Sequence, residues 1–316
     1  MSSYQLLKWI TCFIGMCLLV YCSGQEGPIP KVSSGRIERL ANFNSQYITP
    51  RHIDIWLPEG YNSTNRHAVW YMHDCQMLFD STITWNNQEW RADECFSRLI
   101  SEGLINSVIV VGIWNGGKTR HADYFPQKPF DNLPASFKKQ LIDHEGKSDG
   151  RALLGTGARS DNYLRFITEE LKPFIDSNYH VLTDKSNTYI AGSSMGGLIS
   201  LYAICEYPEI FGNAACISTH WPGIFTTANN PIPEAFIRYL KDHLPDSDDH
   251  KIYFDYGTAT LDSLYEVHQI KADKVMEEKG FIEKRRKTLR FAGADHSERS
   301  WSERLHIPIL FLMKKD

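Results

Sequence analysis

The residues of this 316-residue chain best suited to covalent chemistry lie in Gly192-Ser193-Ser194-Met195-Gly196, a G-x-S-x-G pattern. An apolar run, Tyr189-Ile190-Ala191, leads into it, and a helical pattern leaves it at once. A serine on a sharp strand-to-helix turn needs neighbours without side chains, and the turn lifts its hydroxyl above the sheet. The helix N-terminus behind it turns free amides toward incoming negative charge. Ser194 is therefore the candidate nucleophile and the Met195 amide a candidate oxyanion donor. The competing reading is that these small residues merely let a strand and a helix pack. A serine nucleophile also needs a base, and the base an orienting acid. In the order nucleophile, acid, histidine, His296 has the right address, in Gly293-Ala294-Asp295-His296 after the last predicted strand. Two acids compete for the remaining role. Asp255 lies within a strand, where alternation turns it sideways or toward a helix; Asp262 lies past the strand end and is favoured, its bland alternative being a helix N-cap. A second oxyanion amide is expected in His73-Asp74-Cys75-Gln76-Met77, at Gln76 or at Cys75.

These residues need elements to position them. Arg36 to Asn44, His52 to Leu57, Ala68 to Met72 and Ser107 to Trp114 read as strands. So do the run before Ser194, Ala214 to Ser218, Ile252 to Tyr256 and Thr288 to Phe291. Helical patterns cover about Asn87 to Glu102, Tyr163 to Ile175, the stretch after Ser194 to Pro208, and Ser263 to Lys279. A last helix starts near Glu298 and is expected to break at Pro308. Strands alternating with helices predict an α/β fold, a mostly parallel central sheet covered on both faces. From Asn115 to Ser160 periodicity disappears, and this stretch is expected to be a loop-rich, lid-like insertion over the serine. Arg120 and Tyr124 within it, and Trp221 after the sixth strand, are candidate substrate contacts. Without repeats or linkers, residues 25–316 read as one domain.

The net charge of −4 gives no reason to expect nucleic acid or an anionic membrane as partner. The 8 Trp, 15 Tyr and 16 Phe supply rings for a core and for a sugar or aryl pocket. Lys8 followed by the apolar run Trp9 to Cys22 and then Ser23-Gly24-Gln25 reads as a signal peptide of residues 1–24, too short for a membrane span. Export follows as an expectation. Cys22 could instead be lipidated, the one route to a membrane, although Tyr21 is bulky for such a site. The remaining cysteines are Cys75, Cys95, Cys205 and Cys216. The last two sit in apolar surroundings and read as core thiols, and a Cys75–Cys95 disulfide is open. Asn62-Ser63-Thr64 is a glycosylation acceptor in a eukaryotic source. No spacing of ligands implies a metal, and no cofactor is called for.

Four segments in order, YMHDCQMLFD (71–80), GSSMGG (192–197), DYGTATLD (255–262) and GADHSERSW (293–301), resemble the putative esterase family of α/β-hydrolases. That family includes enterochelin esterases, feruloyl and acetylxylan esterases, and the antigen 85 proteins. The resemblance spans roughly Ile53 to Leu312. It implies an α/β-hydrolase fold, a triad of Ser194, Asp262 and His296, and an oxyanion hole from Gln76 and Met195. Where this chain has Cys75 and Met77 the family usually has glycine and asparagine, which bears on the shape of the acyl pocket. The activity so implied is that of an exported serine esterase acting through an acyl-enzyme on acetyl or feruloyl esters of carbohydrate. A siderophore ester is the alternative substrate, and transfer to a second alcohol the alternative outcome. A catalytically inactive hydrolase fold serving as a binding module is the reading from a different class.

Overall fold

The computed structural model describes residues 27–143, 154–225 and 227–315. The expected signal peptide, Cys22 and part of the expected insertion lie outside the described residues. The strands are β1 (Arg36–Phe43), β2 (Arg51–Leu57), β3 (Ala68–His73), β4 (Val108–Ile113), β5 (Thr188–Ser193), β6 (Asn213–Ile217), β7 (Lys251–Gly257) and β8 (Arg286–Phe291). They form an 8-stranded sheet in the order β1-β2-β4-β3-β5-β6-β7-β8. β2 runs antiparallel to both β1 and β4, and every later pairing is parallel. Every residue of β3, β4, β5 and β6 is buried, which is why they read as continuous apolar runs rather than alternating ones. The edge strands β1 and β8 are only partly buried.

The period of two along each strand divides the core into two layers. Val69, Tyr71, Val111, Ile190 and Phe254 face one layer, whereas Trp70, Met72, Val110, Ala191 and Tyr253 face the other. The first layer is closed by α5 (Ser160–Arg165), a π-helical stretch over 166–171, α6 (Lys172–Asn178), α7 (Met195–Glu206), α8 (Ile232–His243) and α9 (Glu266–Glu278). The second is closed by α1 (Ala92–Ser101), α10 (Glu298–Arg304) and α11 (His306–Met313). The α7 helix is buried from Met195 to Cys205, a central helix without a polar face.

Three expectations are corrected and one open question is answered. The described part of the stretch 115–160 is not a structureless loop: it carries α2 (Arg120–Tyr124), α3 (Gln127–Asp131) and α4 (Ala135–Asp143). Two of these helices have only 5 residues, too short for a 3.6-residue period to register. They are seated on α5, α7 and α8, with Tyr124, Phe125 and Phe130 buried in the main core. The first helix begins at Ala92 rather than Asn87, because Asn87 and Arg91 hold positive φ values of 55° and 54°. The last helix interrupts at Leu305 and then runs through Pro308, which sits in the first turn of α11, where a missing N–H costs nothing. Cys75 and Cys95 are both free thiols. The Cys75 Sγ lies 3.7 Å from the buried Asp54 carboxylate, turned toward β2 and β4 rather than toward α1.

Candidate active site

The turn between β5 and α7 is built as its glycines require. A Cβ on Gly192 would lie 2.8 Å from the Gly196 carbonyl carbon, so no side chain fits where strand and helix cross. Ser194 takes φ 58° and ψ −123°, a strained conformation for a residue with a side chain. Neighbouring backbone holds that strain: Ser194 N–H donates to Ile217 O at 2.9 Å, and Ser194 O accepts from His220 N–H at 3.1 Å. The Met195 amide opens α7 and has no carbonyl of its own helix to bond.

His296 and Asp262 meet at the end of the sheet where β7 and β8 finish. His296 Nδ1 lies 2.5 Å from Asp262 Oδ1. The other carboxylate oxygen accepts from the Gly257 amide and the Ser218 hydroxyl, each at 2.6 Å. Asp262 is wholly buried. The two loops are tied directly: Ala294 O accepts from the amides of Thr258 and Ala259 at 3.1 and 3.0 Å, and the His296 amide donates to Thr260 Oγ1 at 2.9 Å. A Cβ on Gly257 would lie 2.2 Å from Ala294 O, so the loops meet only because that residue is glycine. Asp255, the competing acid, instead takes Arg304, at 3.2 and 3.1 Å from Nε and Nη2.

The loop after β3 faces the elbow from the other side. Asp74, at φ 58°, opens a single helical turn over Cys75–Met77. The amides of Met77 and Leu78 bond back to Asp74 O and Cys75 O inside that turn, which leaves the amides ahead of them, Cys75 and Gln76, able to face Ser194. The Gln76 side chain grips the Asn115 backbone, accepting at 3.2 Å and donating at 3.4 Å. Arg120 forks onto Asp74 at 2.6 and 2.8 Å, and Asn115 Nδ2 adds a bond of 2.7 Å. Burial alone would raise the Asp74 pKa, but the guanidinium and the amide outweigh it and hold the carboxyl below its ordinary value. Arg120 thus orders the loop after β3 and balances its charge. His73, ahead of Asp74, is buried with Nδ1 2.8 Å from the Tyr163 hydroxyl, and burial pushes its pKa down to about 3.

The other two expected substrate contacts are corrected. Tyr124 has no exposed surface and packs against His73 and Tyr163. Trp221 is likewise fully buried, its indole N–H donating to Gln269 Oε1 at 3.1 Å. The core layer beneath α7 and α8 claims both rings. Other residues of the site went unread. Ser218 shares the Asp262 carboxylate and accepts from Trp301 Nε1 at 3.0 Å; Trp301 also sets its ring edge-on to His296 at 5.0 Å. Tyr265 stands edge-on to His296 at 5.9 Å, with His220 Nδ1 at 2.9 Å from its hydroxyl. The available signal was positional, since Ser218 to His220 follow β6 at the same end of the sheet as Ser194. Among the described residues, no group of three or more His, Cys, Asp or Glu could hold a metal ion.

A mixed 8-stranded sheet covered on both faces, with a serine on a strained turn before its central helix, defines an α/β-hydrolase fold. The sequence profile of the family described as Putative esterase matches residues 45–309, and the chain belongs to that family. An uncharacterized protein, YbbA, of Bacillus subtilis is 38% identical over 173 residues, covering 54% of this chain and 58% of its own. Ferri-bacillibactin esterase BesA of the same organism is 36% identical over 192 residues, covering 59% of this chain and 58% of its own. The chain thus matches less than two thirds of the length of these relatives. Among solved structures, enterochelin esterase from Shigella flexneri superposes with a TM-score of 0.61 at 15% identity, covering 90% of this chain and 60% of that one. A ferulic acid esterase gives 0.60 at 18% identity, covering 88% and 98%. At these identities the structures share the fold.

Proposed function

We propose that this chain is a serine esterase working through an acyl-enzyme. The observation that carries the reading is the buried Asp262 carboxylate on His296 Nδ1, at the same end of the sheet as Ser194 on its strained turn. In this scheme Ser194 Oγ bonds the acyl carbon and its proton passes to His296 Nε2, then to the departing alcohol; water repeats the sequence and frees the acid. Asp262 fixes the histidine tautomer, and the amides of Met195 and Gln76 receive the oxyanion, each such donor worth about 3 kcal/mol.

For the substrate, we infer an ester bearing an aromatic acid. The neighbours by fold include a ferulic acid esterase and an enterobactin esterase crystallised with 2,3-di-hydroxy-N-benzoyl-serine, and the kin by sequence include a ferri-bacillibactin esterase. Two exposed rings favour the same class. Phe225 is 70% exposed with its ring 6.0 Å from that of His220. Trp85 is 84% exposed, and its neighbour Asn86 bonds Glu298, two residues past His296. A siderophore-type ester therefore ranks beside a feruloyl carbohydrate ester and ahead of a simple acetyl one. Export is part of the proposal and is supported by the Trp9 to Cys22 run alone; the mass of the chain recovered from outside the producing cells tests it.

The deciding experiment is a hydrolysis panel of p-nitrophenyl acetate, methyl ferulate, acetylated xylan and a catecholate triester, run with the protein and with Ser194→Ala. Turnover abolished by the substitution establishes the serine mechanism, and the preferred ester gives the class. If even the activated ester is untouched, the inactive binding module becomes the better reading.

A further inference from the structure

Ser218 holds a backbone conformation that suits glycine better. Its φ is 41°, in the left-handed region, and the residue is fully buried. The main chain is pinned there, since the Ser218 N–H donates to Asp255 O at 2.9 Å. A side chain retained at such a position points to a task for that side chain. Three groups reach its hydroxyl: Asp262 Oδ2 at 2.6 Å, Trp301 Nε1 at 3.0 Å and Arg304 Nη2 at 3.0 Å.

The directions of these bonds follow from what each partner can do. An indole N–H and a guanidinium only donate, so both bonds run into the Ser218 oxygen. They use its two lone pairs, and its one O–H is left for the Asp262 carboxylate. Arg304 is occupied in a similar way. Its Nε and Nη2 donate to Asp255 at 3.2 and 3.1 Å, and the second hydrogen of Nη2 goes to Ser218. That same nitrogen stands 4.0 Å from Asp262 Oδ2. The hydroxyl therefore sits between a buried cation and the carboxylate that holds His296.

We propose, resting on the serine-esterase reading above, that Ser218 is a positioning residue which keeps Arg304 off the Asp262 carboxylate. Without the hydroxyl, one buried N–H of Arg304 loses its acceptor while Oδ2 lies within reach. A shift of about 1 Å turns that 4.0 Å separation into a direct ion pair. Such a pair competes with His296 for the negative charge and draws Oδ1 away from Nδ1. The imidazole then loses the partner that fixes its tautomer and steadies it once it has taken the Ser194 proton. With Ser218 in place, Arg304 reaches Asp262 only through a neutral hydroxyl. The Gly257 amide on the same oxygen at 2.6 Å completes the hold and leaves Oδ1 to His296.

The test places Ser218→Ala in two backgrounds, the wild type and a protein carrying Asp255→Asn with Arg304→Met, which removes the buried ion pair as a unit. Each protein is melted thermally and assayed with p-nitrophenyl acetate across pH. In the wild type, Ser218→Ala is expected to lower kcat about tenfold with KM within about twofold. The acid limb of its kcat profile should move to lower pH, because a carboxylate drawn to Arg304 supports the imidazolium less. In the background without the cation the same substitution should cost less than about threefold, since nothing remains to close on Asp262. A merely structural serine would cost the same in both. Wild-type kcat in Ser218→Ala, equal losses in the two backgrounds, or an acid limb that stays or moves to higher pH overturns the proposal. A second measurement does not need the paired background to fold: at low pH the proton resonance of His296 Nδ1–H should move upfield in Ser218→Ala, and an unmoved or downfield signal refutes the scheme. Absence of any Ser194-dependent turnover in the wild type is a different failure, that of the esterase reading itself, and is seen before any variant is made.

Discussion

Replacing Asp262 with asparagine separates the role of the carboxylate from its shape, and the structure dictates how the amide must sit. The Gly257 N–H donates to Oδ2 at 2.6 Å, and Arg304 Nη2 stands 4.0 Å from the same oxygen. Both demand an oxygen there, so the asparagine carbonyl takes that position and its NH2 turns toward His296 Nδ1, where Oδ1 now lies at 2.5 Å. An N–H facing Nδ1 requires a lone pair on it. The imidazole proton therefore moves to Nε2, and His296 can no longer accept the proton of Ser194. The expected loss is the one found when a triad aspartate is amidated, about 10⁴-fold in kcat, or about 5 kcal/mol of barrier, with KM little changed. Steady-state hydrolysis of p-nitrophenyl acetate is the assay, with a thermal melt to show that the fold survives. A loss below tenfold would refute the tautomer argument. Asp255→Asn is the companion measurement: it leaves the His296 contact intact and strips a buried partner from Arg304, so stability should fall by about 3–5 kcal/mol while kcat per folded molecule stays within several-fold of wild type.

Three other outcomes are expected. His73 and His220 are buried with pKa values of about 3, depressed chiefly by desolvation, so the stability they contribute is present above pH 6.5 and is lost as the pH falls toward 3. At pH 5 each should cost about 2 kcal/mol, readable as a drop in the urea-unfolding free energy between pH 8 and pH 5; an unchanged free energy would contradict their burial. Gly192→Ala places a Cβ 2.8 Å from the Gly196 backbone and should lower both kcat and the melting temperature, whereas an unaffected enzyme would mean the turn relaxes freely. Cys95, half-buried with its thiol pushed up to about 11, should react slowly with a thiol reagent, and Cys75, Cys205 and Cys216 only after unfolding in urea. A disulfide-linked peptide containing Cys75 and Cys95 in a non-reduced digest would overturn that assignment.

How much of this was legible in the sequence depended on the kind of signal. All eight strands were readable, the inner ones because burial on both faces writes a strand as an unbroken apolar run bounded by turns, as in Val108 to Ile113. The strained turn at Ser194 and the meeting of His296 with Asp262 were legible from their addresses past the strand ends. The α8 helix passed unread between β6 and β7, although its buried Ile232, Phe236, Tyr239 and Leu240 keep helical spacing. Tyr124 and Trp221 were misplaced for a different reason: aromatic type does not distinguish a ring that lines a pocket from one that fills a layer. The contacts of Ser218, His220 and Tyr265 depend on which side chains meet across loops, and no local pattern encodes that.

The pairing of the two loops through Ala294 has a consequence for how activity is lost. Asp262 and His296 are delivered by β7 and β8, the last strands of the sheet, whereas Ser194 is delivered by β5 at its centre. The outermost strand is half-exposed and bonded along one side only, so it belongs to the part of the molecule that opens at least cost. Because the acid and histidine loops are tied to each other, such an opening takes both from the serine in one event. Heating should therefore silence the enzyme before the central sheet melts, with amides of β8 exchanging deuterium ahead of those of β5, and cooling from that intermediate stage should restore activity without refolding the whole chain.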